Sequence, residues 1–341
     1  MAETTGSATD LEDFFGKFLT WVGTQTGWTV DQTITTVDSG RQCAISKGNL
    51  FVQWRWDTTS PNTVAMYQST AFSGASTRAG THTGDSGNGY NAATSTSESV
   101  LTSERCIHLM GNSAFPSYYL YSNTAGDYLH AVVEINTDEF RHFGCGNLTK
   151  FGDWNTGSGG EYAYAHYGAT TSQSTGGAQN ILLDGAQNAT SGSANQRQRG
   201  GTMLVSGLPG QGSEVWAHVW GNKSITETTD TAGNARLTMI GGTRGGALPR
   251  GFGWIPPSSS TKLAVTQPVA TWYIDKTTTP NHAYLLGFMP DVRQVHLKYI
   301  APKDTFTLGS ETWRVFPSIR RTEGTAAGDT DYQGVAYLTN P

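Results

Sequence analysis

The segment EINTDEFRHFGCGNLTKFGDW, residues 134–154, concentrates side chains that could act as acids, bases or metal ligands. They are Glu134, Asp138, Glu139, His142, Cys145 and Asp153. Carboxylates and imidazoles transfer protons when they lie close together, and imidazoles and thiolates bind transition metals. Whether the segment does either depends on the elements that position these groups.

The residues just before and inside this segment, YLHAVVEI (128–135), have the pattern of a β-strand. Strand alternation divides the side chains into two faces. One face carries His130, Val132 and Glu134, and the other carries Ala131, Val133 and Ile135. The second face is wholly apolar, so it is predicted to face a core. His130 and Glu134 are about 13 Å apart at ~3.3 Å per residue, too far to share a metal ion.

The remainder of the segment has the pattern of a turn followed by a second strand. The residues Asn136-Thr-Asp138 are typical of a turn, and an extended pattern resumes at Glu139. We therefore interpret the segment as a β-hairpin. A metal or acid–base site would need His166 or another distant residue. The sequence accordingly predicts no catalytic, metal-binding or cofactor-binding residues and no cofactor.

Two further motifs are interpreted as turn and loop sequence. GDSG at 84–87 matches the sequence around the nucleophile of trypsin-like proteases. Those proteases normally have a base histidine and an orienting aspartate well before this motif in the chain. Here His82, almost adjacent to the motif, is the sole histidine before it. The glycosylation sequons begin at Asn147, Asn188 and Asn222. Without a visible secretory signal, these asparagines are expected to serve as turn residues.

The segment EVWAHVW (214–220) places His218 between Trp216 and Trp220 on one strand face. Such a face could stack on sugar rings. A buried sheet face has the same pattern, and aromatic residues are usually buried, so core packing is the favoured interpretation.

Composition excludes several classes of protein. The 22 basic and 27 acidic side chains give a formal net charge of −5, which argues against nucleic acid as the primary partner. No apolar run approaches the roughly 20 residues of a membrane span, and no signal peptide is visible. Cys43, Cys106 and Cys145 form no CxxC pair, so reduced thiols packed as small hydrophobes are expected.

One helix is predicted near the start of the chain. Its apolar stripe consists of Leu11, Phe14, Phe15, Phe18, Leu19 and Val22. Thr9 and Glu12 match a capping box, and Gly27 is placed to end the helix. We expect residues 1–30 to form a helix that docks on its own domain.

The rest of the chain, residues 31–341, is predicted to be a β-rich body, with a possible division into two subdomains near residue 200. Strand patterns occupy 49–57, 118–122, 128–135, 214–220 and 311–319, and loop compositions occupy 73–99, 155–160, 170–202 and 322–331. The predicted fold class is mainly β, with antiparallel β-sandwich-like domains and one N-terminal α-helix.

Several stretches resemble structural virion proteins of tailed bacteriophages. They are DLEDFFGKFLTWVGTQTGWT, HAVVEINTDEFRHFGCGNLTKFGDW with GGEYAYAHY, and LLGFMPDVRQV followed by FTLGSETWRVFPSIRR. The last contains a G-x-x-x-W-x-V-F-P motif from Gly309 to Pro317. The resemblance covers about half of the chain and implies a virion component. It supplies no catalytic or binding residue.

The resemblance implies a non-enzymatic component of a tail, neck, collar or baseplate, made in the host cytoplasm and located in the virion. Its expected partners are other copies of itself and neighbouring virion proteins, because virion parts assemble symmetrically. One alternative is a virion protein that binds carbohydrate or degrades polysaccharide, for which depolymerase chemistry needs paired acids. Another is a secreted lectin-like β-protein, which the absence of a signal peptide disfavours.

Overall fold

The structure of the chain is a computed structural model. The described residues are 3–37, 40–48, 50–57, 64–69, 71–72, 82–83, 106–107, 114–151, 161–165, 202–205, 215–218, 235–239, 266–275, 282–297, 299–317 and 333–340.

The described residues contain one helix, α1 (Leu11–Val22), and many strands. In the first half of the chain the strands are β1 (Thr4–Ala8), β2 (Thr29–Val37), β3 (Gly40–Lys47), β4 (Leu50–Asp57), β5 (Val64–Ser69), β6 (Ala71–Phe72), β7 (His82–Thr83), β8 (Cys106–Ile107), β9 (Phe115–Tyr121), β10 (Tyr128–Asn136), β11 (Glu139–Asn147), β12 (Thr149–Lys150) and β13 (Glu161–Ala165). In the second half they are β14 (Thr202–Val205), β15 (Val215–His218), β16 (Ala235–Met239), β17 (Thr266–Asp275), β18 (His282–His296), β19 (Thr305–Leu308), β20 (Glu311–Pro317) and β21 (Gln333–Leu338).

Three antiparallel sheets make up most of this structure. The central sheet has the order β1-β9-β10-β11-β13, and the helix-side sheet has the order β2-β3-β4-β5-β8. The outer sheet has the order β16-β17-β18-β21-β20-β19, with β12 paired to β18. Two further strand pairs, β14-β15 and β6-β7, form separate two-stranded sheets.

The first core lies between the central sheet and the helix-side sheet, and α1 fills it. The ring of Phe15 stacks on Trp56 with centroids 4.8 Å apart, and Phe143 of the central sheet meets Phe14 edge to face at 6.1 Å. The apolar face of β10 supplies Ala131, Val133 and Ile135 to the same cluster. Burial of these side chains is the main stabilising term here, and each aromatic pair adds ~0.5–1.5 kcal/mol.

Helix α1 forms where the apolar stripe predicts it, and the whole stripe is buried. Its cap is one residue later than predicted: Asp10 is the N-cap and accepts the Asp13 N–H at 2.8 Å, whereas Thr9 and Glu12 were expected. Aspartate caps a helix as well as threonine does, so the sequence pattern did not separate the two registers. The helix also ends earlier, at Val22 before Gly23; Gly27, at φ 76°, lies in the turn that follows.

The outer sheet contains a bent strand. β18 pairs with β17 on both sides of an interruption, where Phe288 opposes Ala270 and Arg293 opposes Pro268. Pro290 lies in this interval and has no N–H to donate to a neighbouring strand. Asp291 follows it with φ 55°, a conformation that bends an extended chain.

The chain passes from the central sheet into the outer sheet within a few residues. β11 ends at Asn147, and after Leu148 the chain forms β12, where Thr149 pairs with Phe288 and Lys150 with Gly287. Gly287 has φ 159°, and a Cβ there would fall on the Thr149 carbonyl oxygen. Glycine is therefore required where the two strands pair.

The predicted fold class, mainly β with antiparallel sheets and one N-terminal helix, is confirmed. Strands form at or within the five predicted segments, with ends that differ by a few residues. The N-terminal segment also contains β1, which pairs with β9 and was not expected. The possible division near residue 200 lies outside the described residues and stays a prediction.

Several other predictions concern residues outside the described ranges. They concern the GDSG motif, the sequons at Asn188 and Asn222, and most of the predicted loops. Asn147 is described, and it lies at the end of β11, where its N–H bonds the Asp127 carbonyl. Of the helices that the structure describes, none is long and apolar enough to cross a bilayer.

Gly16 offers a test of how α1 is stabilised. A Cβ at Gly16 meets no atom within 4 Å, so Gly16→Ala adds helix propensity without a clash. We expect the free energy of unfolding to rise by about 0.5–1 kcal/mol, measured by urea denaturation. Gly126→Ala is the matched control: at φ 66°, with the new Cβ falling on the Thr26 carbonyl, it should destabilise. Destabilisation by Gly16→Ala would contradict this account.

Candidate functional site

The face of β10 and β11 that carries His130, Glu134 and His142 packs against the outer sheet. We call this region the inter-sheet layer; it comprises Tyr119, Tyr121, Tyr128, His130, Glu134, Phe140 and His142 from the central sheet and Pro290, Lys303, Arg314, Phe316, Pro317 and Tyr337 from the outer-sheet region. The ring of Tyr337 lies at its centre, stacked on Tyr121 at 4.9 Å. Both faces of β10 are therefore buried, which explains the run of eight buried residues from Tyr128 to Ile135.

His142 is fully buried, and both of its ring nitrogens have partners from the outer sheet. Nε2 lies 2.9 Å from the Pro317 carbonyl oxygen, and Nδ1 lies 2.9 Å from the Tyr337 hydroxyl. A carbonyl can only accept, so Nε2 carries the proton and Nδ1 accepts from the hydroxyl. Burial lowers the pKa of His142 to about 3, and the charge of Arg141 acts in the same direction. His142 is therefore a neutral imidazole that joins the two sheets.

His130 makes the corresponding contact one strand away. Its Nε2 lies 3.0 Å from the Pro290 carbonyl oxygen at the bend of β18. The neighbouring Tyr128 hydroxyl donates to the Asp291 carboxylate at 2.6 Å. Burial lowers the pKa of His130 to about 3 and, with the adjacent Asp291 charge, raises the pKa of Tyr128. These contacts hold the bent part of β18 against β10.

Glu134 is held at the end of the layer by three donors. Its carboxylate accepts from the Ser117 hydroxyl, from the Asp138 N–H at 3.1 Å and from Lys303 Nζ at 3.0 Å. Burial opposes ionisation, but these hydrogen bonds together lower the pKa of the Glu134 carboxyl. The carboxylate thus closes the hairpin turn, where Asp138 has φ 56°, and ties it to the outer-sheet region.

A second ion pair connects the first residues of the chain to the layer. Glu3 accepts from the Tyr121 hydroxyl at 2.6 Å and from Arg314 Nε at 2.7 Å. Arg314 also donates to the Lys303 carbonyl at 2.7 Å, and its guanidinium lies over the Tyr119 ring at 5.6 Å. Burial raises the pKa of the Tyr121 hydroxyl, and the Glu3 charge acts in the same direction.

The remaining candidates in the hairpin are also engaged within the protein. Glu139 forms an ion pair with the buried Arg141 at 2.7 Å. Cys145 and Cys43 are free, buried thiols in the first core, as predicted, and burial raises the pKa of both. Asp153, His166 and the side chains of Trp216 and His218 lie outside the described residues.

The sequence interpretation of the hairpin is confirmed. The two faces of β10 and the turn at 137–138 are as predicted, and His130 and Glu134 bind different partners. The partners from residues 290–337 were not identified from sequence. His130, Glu134 and His142 therefore each bind a group from the outer-sheet region and do not converge on one another.

Within the ranges that the structure describes, no group of three or more His, Cys, Asp or Glu side chains is arranged to hold a metal ion. Comparison with known proteins finds no family model that matches the chain and no curated protein that is similar to it.

His142→Phe tests the contribution of the imidazole to the layer. The new ring fills similar space, but the Pro317 carbonyl loses this donor and the Tyr337 hydroxyl loses this acceptor. We expect the free energy of unfolding, measured by urea denaturation at pH 7, to fall by about 2–4 kcal/mol, because each lost partner of a buried group costs ~1–3 kcal/mol. Tyr337→Phe should cost less in the His142→Phe background than alone. Additive effects would show that the contact is energetically unimportant.

Glu134 and Lys303 can be tested by a double-mutant cycle. Lys303→Met removes one donor from a carboxylate that keeps Ser117 and the Asp138 N–H, whereas Glu134→Ala removes the acceptor of all three. We expect Glu134→Ala to be the more destabilising change and the coupling energy to be about 1 kcal/mol, since Lys303 is partly exposed. The coupling energy should be smaller in high salt than in low salt, because salt screens the ion pair. A coupling energy of zero would show that this ion pair does not stabilise the contact between the hairpin and the outer-sheet region.

Proposed function

We propose that this chain is a non-enzymatic structural component of a tailed-phage virion, which assembles symmetrically with copies of itself in the tail, neck, collar or baseplate. The observation that carries the proposal is the composition of the inter-sheet layer. The segments that resemble phage virion proteins, 130–154, 285–295 and 306–321, supply His130, Glu134, His142, Arg314 and the carbonyls of Pro290 and Pro317. Lys303 and Tyr337, which bind Glu134 and His142, lie outside these segments. Segments distant in sequence thus form one structural unit.

The chemistry of the layer supports a structural role over a catalytic one. A catalytic acid or base must reach a substrate and exchange protons near the working pH. His130 and His142 are fully buried, and burial lowers the pKa of each to about 3. Glu134 is 4% exposed and already bound by three donors. These groups bind partners within the fold and are almost wholly removed from solvent, so they are poorly placed to meet a substrate.

The aromatic residues support the same choice over the carbohydrate-binding alternative. A sugar-binding face needs aromatic rings that are open to solvent. In the part of the chain with described side chains, Phe151, at 58%, is the large aromatic residue that is exposed. The aromatic residues of the layer and of the first core are buried instead.

The proposal is tested by the size and symmetry of the purified protein. We expect light scattering coupled to size-exclusion chromatography to give a mass several times 36.5 kDa, and electron microscopy to show rings. Mass spectrometry should find the chain in purified phage particles. A 36.5 kDa monomer at every concentration, together with absence from the particles, would overturn the proposal. Binding on a glycan array would favour the carbohydrate-binding alternative.

A further inference from the structure

The two faces of the central sheet are held by different kinds of contact. Toward α1 the contacts are apolar, with Val133, Phe143 and Cys145 in a cluster of aliphatic and aromatic side chains. Toward the outer sheet the contacts include hydrogen bonds from imidazoles to main-chain carbonyls and the ion pair between Glu134 and Lys303, and on this face Val132 pairs with His142. Proton uptake therefore affects the second face far more directly than the first.

We propose that the inter-sheet layer is an acid-sensitive joint: proton uptake by His130 and His142 releases the outer sheet from the central sheet before the helix-side core unfolds. Each histidine already uses Nε2–H to reach a proline carbonyl of the outer sheet. A second proton on His142 turns Nδ1 from an acceptor of the Tyr337 hydroxyl into a donor and places a buried charge in the layer. Release of the outer sheet gives both rings access to water.

The charged groups around the two histidines determine the pH range. Arg141 lies beside His142 and opposes its protonation. The carboxylates and cations at the edges of the layer are Glu3, Glu134, Asp138, Asp291, Lys303 and Arg314, with the hydroxyls of Tyr121, Tyr128 and Tyr337 inside it. Asp291 accepts a hydrogen bond from the Tyr128 hydroxyl, and Glu134 accepts one from Lys303.

The sign of the effect follows from the pKa values of the closed and open states. Both histidines have a pKa of about 3 when buried and about 6.5 when exposed, so the open state binds more protons between these values. The contribution of the two neutral imidazoles to the stability of the closed layer is fully present above about pH 6.5. It is lost as the pH falls from there toward their pKa of about 3 in the closed state. Each histidine raises the opening equilibrium about tenfold per pH unit. Glu134 adds to the loss at lower pH because its pKa is lowered, whereas Asp291 opposes it because burial raises its pKa.

Thiol labelling on opposite faces of β10 tests the proposal in the full chain. Val132 and Val133 are both fully buried neighbours; Val132 faces the layer and Val133 faces the first core. Val132→Cys and Val133→Cys are made as separate variants, and each protein is treated with a disulfide reagent at pH values between 7 and 5. Peptide mass spectrometry then identifies which thiol has reacted. Each rate is divided by the rate for the same thiol in the unfolded chain at that pH.

We expect the Val132→Cys thiol at pH 5 to react at least about 10-fold faster than the Val133→Cys thiol. The normalised rate for the Val132→Cys thiol should rise by up to roughly 100-fold for each unit that the pH falls. This rise should shrink to about 10-fold per unit when either His130→Gln or His142→Gln is also present, because one titrating histidine remains. Equal rates for the two thiols would show one cooperative unfolding and overturn the proposal. An unchanged pH slope in both glutamine variants would also overturn it. The comparison of the two thiols stands even if a glutamine variant does not fold.

Discussion

Burial of both faces of the central sheet is the constraint on which the rest of this structure depends. A strand covered on one side can leave its polar side chains in water, but β10 and β11 have no such side. Each histidine and carboxylate on the second face must therefore meet a partner inside the protein, because an unpaired buried polar group costs several kcal/mol. The proline carbonyls, the Tyr337 hydroxyl and Lys303 are these partners.

The same constraint explains the irregular parts of the outer sheet. A carbonyl engaged fully in a regular ladder is a poor partner for a side chain from another layer. Pro290 lies in the interruption of β18, and Pro317 is the last residue of β20, so both carbonyls are at places where the ladder is broken or ends. The bend at Asp291 also brings a carboxylate to the Tyr128 hydroxyl. The departures from ideal strand geometry are thus located where the layer needs polar groups.

The extent to which the sequence predicts this structure varies with the range of the interaction. The stripe of α1 and the two faces of β10 depend on local periodicity, and both were predicted residue by residue. The register of the helix cap depends on a choice between adjacent polar residues, and the pattern selected Thr9 in place of Asp10. The outer-sheet residues that pack over His130, Glu134 and His142 are more than 150 positions later in the sequence, so no local pattern predicts these contacts. Hence the site was predicted as a hairpin but its partners were not.

The short crossing at β12 has a mechanical consequence. Since Leu148 alone separates a strand of the central sheet from a strand paired with the outer sheet, the two sheets share a continuous polypeptide at that edge. Phe140 pairs with Glu134 near the other end of β11, so the contact between Glu134 and Lys303 lies far from this covalent connection. The close approach of Gly287 to the Thr149 carbonyl leaves little room for the connection to shift against β18.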